Sequence, residues 1–459
     1  MEPVRSWPIT APVPIQHRFA QPVTTAGSPR STGALPWIMF GLATSLYTYA
    51  FFQRVAPNVI VDDLMRDLGV TALLLGNLSA FYFYSYAGLQ IPLGIVLDRW
   101  GARAVLTGAA LCCGLGSVVF AFAEDLGAAA VGQLLIGAGA GVPFVGALVI
   151  ARAWLPPERF AFVTGMIMFS GMAGAFLGQA PLAAAVEAVD WRLIYHALAA
   201  AAVIWAAMLW VTVRDRPPSV VVPQASLADK PARSVAVTRD TSLWQNLATV
   251  AANPQTWLIS LYGAMIAGPI LSFLSLWSVA YLMQGYAMSR PSAAATTSIV
   301  MVGWALGAPI TGWAADRLRR RKAPMVVGAV VGLVIWLALA MVPAMPLWLL
   351  HGLLFVLGVA ASTMGVMFAL LREHNPPHLG GTATGVFNTI CMISPALFQP
   401  LVGWLIDLGW DGMMVDGLPV YAEDNFRDAF LAYPLCAGIA ILLSLWLRET
   451  RAQQVVMDD

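Results

Sequence analysis

The sequence predicts an all-α integral membrane protein with twelve membrane-spanning helices in two pseudo-symmetric bundles of six. Three observations carry this. Of 459 residues, 59% are hydrophobic and 11% charged, against about 25% charged in an ordinary soluble domain. A chain this apolar has too little polar side chain to cover a water-facing surface. Apolar stretches of about 20 residues, enough to cross a bilayer, recur along its length. A short basic motif appears once in each half: "GIVLDRWGAR" after the second stretch and "GWAADRLRRR" after the eighth.

Residues 1–34 are rich in Pro, Ser, Thr and Ala and carry Arg5, Arg18 and Arg30. They lack the apolar core of a signal peptide and read as a flexible cytoplasmic tail, with the first span acting as its own insertion signal. The N-terminal bundle, 35–213, contains spans at 35–60, 71–97, 104–123, 127–151, 160–186 and 191–213. Residues 214–254 are polar, contain Pro217 and Pro218, and show no apolar periodicity, which predicts a cytoplasmic linker. The C-terminal bundle, 255–447, contains spans at 255–283, 293–315, 323–343, 346–371, 381–406 and 428–447, and 448–459 form a cytoplasmic tail. Inside lipid each span must satisfy its own backbone hydrogen bonds, so helices are expected. The Gly and Ala content suits their close packing.

Charge orients the chain. With the N-terminus inside, the cytoplasmic loops and both tails hold 20 of the 25 Lys and Arg residues. The positive-inside rule selects that orientation and places both termini in the cytoplasm. The net charge of +1 offers no field for nucleic acid. Cys112, Cys113, Cys391 and Cys436 all fall in apolar segments and read as small buried hydrophobes. The spacing of His374 and His378 in "HNPPH" is interrupted by two prolines and has no third ligand close by, so neither a metal nor another cofactor is expected. No phosphate-cradling Gly-rich loop or nucleophile–His constellation points to an enzyme.

The two motif copies align residue by residue. Gly94, Asp98, Arg99 and Arg103 match Gly312, Asp316, Arg317 and Arg321, with Pro92 and Pro309 shortly before. A repeat of this kind argues for internal duplication. These residues resemble the signature of the major facilitator superfamily over about 35–450. The resemblance implies two six-helix halves rocking around a central cavity, in the plasma (bacterial inner) membrane, in a protein that functions as a monomer. It also implies that the motif residues form a gate closing the cytoplasmic side. A narrower likeness rests on "FFQRVAPNVIVDDLMRDLGV", "GLQIPLGIVLDRWGAR", "AWLPPERF" and Trp191–Arg192. It is to the anion:cation symporter branch, whose members move organic anions.

Within the first span, Arg54 is the anomaly. A guanidinium at the centre of a membrane helix costs about 2.5–3.5 kcal/mol. Two readings stand: a side chain snorkelling to the outer headgroups, or a planar fork holding a substrate carboxylate or phosphate. No Asp or Glu is evident at its depth, which favours the second. Tyr47 lies one heptad earlier on the same face. Tyr82 and Tyr86 on the second span, Gln179 on the fifth, Trp277 and Tyr281 on the seventh, and Asn388 and Gln399 on the eleventh complete the candidate substrate residues, with helix glue as the alternative for each.

The implied function is secondary transport of a small solute, an organic anion, by alternating access. The alternative is efflux of hydrophobic or metal-chelating compounds. Gln133 stands where proton-coupled members often carry Arg, and "GMIMFSGMAGAFLGQAP" fits the antiporter glycine pattern poorly; both departures weigh against efflux. His196 and His351 are the titratable candidates for coupling. Proton symport, sodium symport, exchange and facilitated diffusion stay open as coupling modes.

Overall fold

The computed structural model describes residues 34–156, 159–215, 243–343, 345–415 and 418–455. In the N-terminal half the first span is α1 (Leu35–Val59), followed by a short amphipathic α2 (Val61–Leu68). The second begins as α3 (Ala72–Gln90), and α4 (Leu93–Ala121) carries its end with the first motif, breaks at the non-helical Gly101 and continues as the third. The fourth span is split into α5 (Leu126–Ala140) and α6 (Pro143–Trp154), the fifth into α7 (Phe160–Leu177) and α8 (Ala180–Ala188), and the sixth is α9 (Trp191–Thr212). Next comes α10 (Leu243–Ala252).

The C-terminal half opens with α11 (Pro254–Ser272), a π-helical turn (Phe273–Trp277) and α12 (Ser278–Tyr286), which together make the seventh span. Then follow α13 (Arg290–Leu318), α14 (Lys322–Met341), α15 (Leu347–Ala361) with α16 (Met364–Glu373), and α17 (Gly380–Leu408). The last span is α18 (Glu423–Phe430) with α19 (Ala432–Ser444). Among the described residues, eleven helical stretches are long and apolar enough to cross a membrane, and α2 with α3, bent by 110°, would make a twelfth. Phe169, Val211 and Trp348 stand exposed on the outside of the bundles, as lipid-facing side chains do.

Three details depart from expectation. The second span is not one unbroken helix: α3 gives way at Ile91 and Pro92, whose ring leaves no backbone N–H to donate, and the span resumes in the first turns of α4 as far as the non-helical Gly101. The stretch read as plain linker carries α10, whose Leu243, Leu247 and Val250 recur at helical spacing and whose Val250 is buried. The otherwise helical fold also holds a two-residue antiparallel pair, β1 (Met414–Val415) with β2 (Leu418–Pro419). The expected N-terminal tail lies outside the described residues, as does most of the linker.

The motif copies fold alike. Gly101 and Arg319, at equivalent places, both have a left-handed backbone, with φ of 78° and 48°. In each half a carboxylate just past the last span then accepts from the backbone of the motif's final arginine. Arg103 N–H donates to Asp215 (2.9 Å) and Arg321 N–H to Glu449 (2.7 Å), with Lys322 N–H on the other Glu449 oxygen (2.9 Å). Burial opposes the Glu449 charge, but these backbone N–H groups outweigh it and hold its carboxyl below the usual glutamate range. A depressed folded pKa adds stability above the unfolded pKa and loses it as pH falls through the folded value. The melting temperature of Glu449→Gln in detergent is therefore expected to lie below wild type at neutral pH, with the gap closing on acidification through the carboxyl range. A gap independent of pH would show that the charge is not what matters.

Candidate functional site

Four expected residues meet around the first span. Arg54 is 6% exposed, and its Nε donates to the Tyr82 hydroxyl at 3.3 Å. The Phe51 and Tyr86 rings lie 4.2 Å and 4.9 Å from the guanidinium carbon. Tyr82 and Tyr86 stack with centroids 6.2 Å apart. Tyr82 is ten residues into α3, roughly 15 Å along the helix from its start at Ala72, so Arg54 reaches the middle of the second span rather than a headgroup layer. No ion pair joins Arg54 to a carboxylate among the described residues. Its Nη2 has no hydrogen-bond partner there either. Tyr47 packs beside Phe51 and Phe144, at centroid distances of 4.7 and 5.6 Å. Phe51 was missed in the sequence, although it precedes Arg54 by three residues and so shares its face.

The other expected residues lie elsewhere. Gln179, in the break between α7 and α8, donates to the Leu274 carbonyl at 2.9 Å. It also accepts from Asn58 at 3.3 Å. Asn58, likewise missed, donates to Leu274 O (3.1 Å) and Ser278 Oγ (2.9 Å) and accepts from Val279 N–H (3.2 Å). A π turn breaks the regular helical hydrogen-bond pattern, and the Asn58 side chain from the opposite half meets backbone groups at both its ends. Trp277 is in that turn, buried, with its Nε1 unpaired. Tyr281, one turn beyond Trp277, keeps to its own half. It packs with Tyr286, Phe426 and Phe430 inside the C-terminal bundle. Gln399 donates to Ser275 Oγ of the π turn at 2.8 Å. Asn388 donates across the halves to Gln90 at 2.9 Å.

The halves are clasped at the acidic face, opposite the motifs. Asp63 pairs with Arg290 at 2.8 Å. Asp407, at the end of α17, accepts from the Ala72 and Leu73 N–H groups (3.2 and 2.9 Å) that open α3 and from the Tyr421 hydroxyl (2.5 Å). A carboxylate of one half thus satisfies the orphan N–H groups and the positive helix end of the other.

At the basic face the expected gate residues keep to their own halves. Arg321 joins Asp316 (2.5 Å) and Glu373 (2.9 Å). Arg103 donates to Trp210 O at 2.7 Å and lies over the Trp210 ring. Arg99 and Arg317 are exposed, and a Cβ added at Gly94 or Gly312 would meet nothing within 4 Å. Asp98 lies in α4, and its side chain is outside the described positions.

Two helix bundles, each carrying one motif copy and tied to each other by contacts such as Asn58–Ser278 and Asp63–Arg290, have the architecture of a secondary transporter. The chain belongs to the Major Facilitator Superfamily, whose profile matches residues 42–399 and 272–455. It is similar to the probable sulfoacetate transporter SauU of Cupriavidus necator, 23% identical over 62% of this chain and 66% of that one. It is also similar to the hexuronate transporter of Bacillus subtilis, at 22% over 90% and 94%, and to the probable galactarate/D-glucarate transporter GudP of the same organism, at 22% over 91% and 94%. Among solved structures it resembles a bacterial homologue of the human lysosomal transporter Spinster, inward-facing and unoccupied. The TM-score is 0.74 at 15% identity, covering 93% of this chain and 98% of that one. The D-xylose–proton symporter gives a TM-score of 0.71 at 15% identity, covering 92% and 100%.

Proposed function

We propose that this protein moves a small organic anion across the bacterial inner membrane by alternating access, with Arg54 as the group that holds the anion. The observation that carries the reading is the buried Arg54 guanidinium, unpaired at Nη2 and walled by Phe51, Tyr82 and Tyr86. A cation at that depth is costly to keep without a partner, and an anion arriving from water supplies one. Relatives that carry sulfoacetate, hexuronate and aldarates in their names support the same class.

Both termini and the basic motifs face the cytoplasm in this reading, and the clasped acidic face is the outer one. The structure is then the inward-facing member of the cycle. Opening the outer face requires Asp63–Arg290, Asp407–Leu73 and Asn58–Ser278 to part, and the motif clusters to engage the opposite half. Tyr47, Gln179, Trp277, Asn388 and Gln399 serve the anion directly or hold the halves in register. The protein works as a monomer, with a coupling ion accompanying the anion.

The test is a thermal-shift and proteoliposome-uptake screen of purified protein against small carboxylates, sulfonates, sugar acids, phosphate esters and neutral sugars. Ligand at 100 times its Kd adds about 2.7 kcal/mol to the folded state. A shift by one anion class, with saturable uptake of the same compounds, is expected. Shifts confined to neutral or amphipathic compounds would refute the reading.

A further inference from the structure

We infer that the site around Arg54 reads a single negative charge: it takes organic monoanions with an uncharged, hydrogen-bonding remainder and discriminates against dianions of the same skeleton. This rests on the organic-anion reading above.

The argument is charge balance in a place that must exclude water. Among the described residues Arg54 is the one cation at this depth, and one negative charge neutralises it. The cations next along the chain are committed elsewhere: Arg66 and Arg290 to Asp63, Arg192 to Asp67. Arg103 and Arg321 are held at the basic face by their own halves. Among the described residues, the C-terminal segments packed on α1, Phe273–Trp277 and Ser278–Tyr286, carry no charge. The π turn packs against α1, and Asn58 ties the two together. The polar atoms left unpaired at the turn and beside it are Trp277 Nε1, a donor, and Gln399 Oε1, an acceptor. Such groups can bond hydroxyl or amide functions but cannot neutralise a second carboxylate. Once the site closes, a second charge would be an ion taken from water without a partner, which costs several kcal/mol.

The experiment holds the skeleton fixed and varies charge. Galactitol, galactonate and galactarate carry zero, one and two carboxylates on six carbons. Ethanesulfonate and sulfoacetate make a shorter pair with one and two charges. Each is measured by thermal shift on the full-length protein, for wild type and Arg54→Ala, at neutral pH. In the series that binds, the monoanion is expected to bind at least about tenfold more tightly than the dianion, with Arg54→Ala abolishing the preference. A dianion that binds as tightly as its monoanion, or more so, with both lost in Arg54→Ala, overturns the single-charge inference and leaves the organic-anion reading standing. Anion binding that survives Arg54→Ala removes the charge-reading role from Arg54. If no anion of either series binds, both the inference and the reading fail for these anion classes.

Discussion

Arg54→Ala is expected to abolish anion-induced stabilisation and saturable uptake while leaving the empty protein folded. Truncating one partner of a buried charge pair costs about 2–5 kcal/mol, roughly thirty- to several-thousand-fold in affinity. The sign for the empty protein runs the other way. A buried guanidinium without a counter-ion opposes folding, and the rings at 4.2 and 4.9 Å return only part of that, about 0.5–2 kcal/mol by cation–π attraction. The unliganded melting temperature of Arg54→Ala is therefore expected to equal or exceed that of wild type. Arg54→Lys keeps the charge but not the planar fork, and a lysine also cannot hold Tyr82 with one nitrogen while offering two more in a plane. Weakening of tenfold or more is expected from it. Normal uptake in Arg54→Lys would exclude bidentate recognition. A sharp fall in unliganded stability in Arg54→Ala would mark the residue as structural.

Most of the fold could be read from the chain because lipid imposes simple rules. Length and apolarity marked the spans, and the motif repeat marked the duplication. Arg54 was legible because a charge in an apolar run is conspicuous, and Tyr82 and Tyr86 because four residues bring them onto one face. Legibility ended where partners are distant in sequence. Asn58 reaches across 220 residues to Ser278 and Asp407 across 334 to Leu73, and no local periodicity encodes such pairs. Asn58 did leave a trace, as an amide one turn after Arg54 in an apolar run. Tyr281 is ringed by Tyr286, Phe426 and Phe430, and spacing by fours along the seventh span says nothing of partners as distant in sequence as Phe426 and Phe430. Helix α10 was hidden by the polar linker before it, whose composition outweighed three apolar residues at helical spacing.

The largest conformational effect is expected from Gly403→Val. A Cβ at Gly403 would lie 2.3 Å from the Ala72 carbonyl oxygen and 2.7 Å from its carbon, and one at Gly76 would lie 2.5 Å from the Gln399 carbonyl oxygen. The obstructing atoms are backbone on both sides, so no side-chain rotation relieves the overlap. Relief requires α3 and α17 to move apart, which pulls Asp407 from the Ala72 and Leu73 N–H groups it caps. Conformers of such a protein differ by only a few kcal/mol, so a clash of this kind in one of them reverses the population. With the native cysteines replaced, Leu274→Cys provides the reporter. Its side chain is buried in the π turn, beneath the acidic-face clasp, and the substitution keeps the carbonyl that Asn58 and Gln179 use. A membrane-impermeant maleimide added outside is expected to label it slowly in the parent and rapidly with Gly403→Val, while uptake falls by at least about tenfold. Gly76→Val is expected to behave alike, because it breaks the same seam from the other side. Unchanged labelling with intact uptake would mean that α3 and α17 need not touch at these glycines during the cycle, and that the outer clasp lies with Asp63–Arg290 and Asn58 alone.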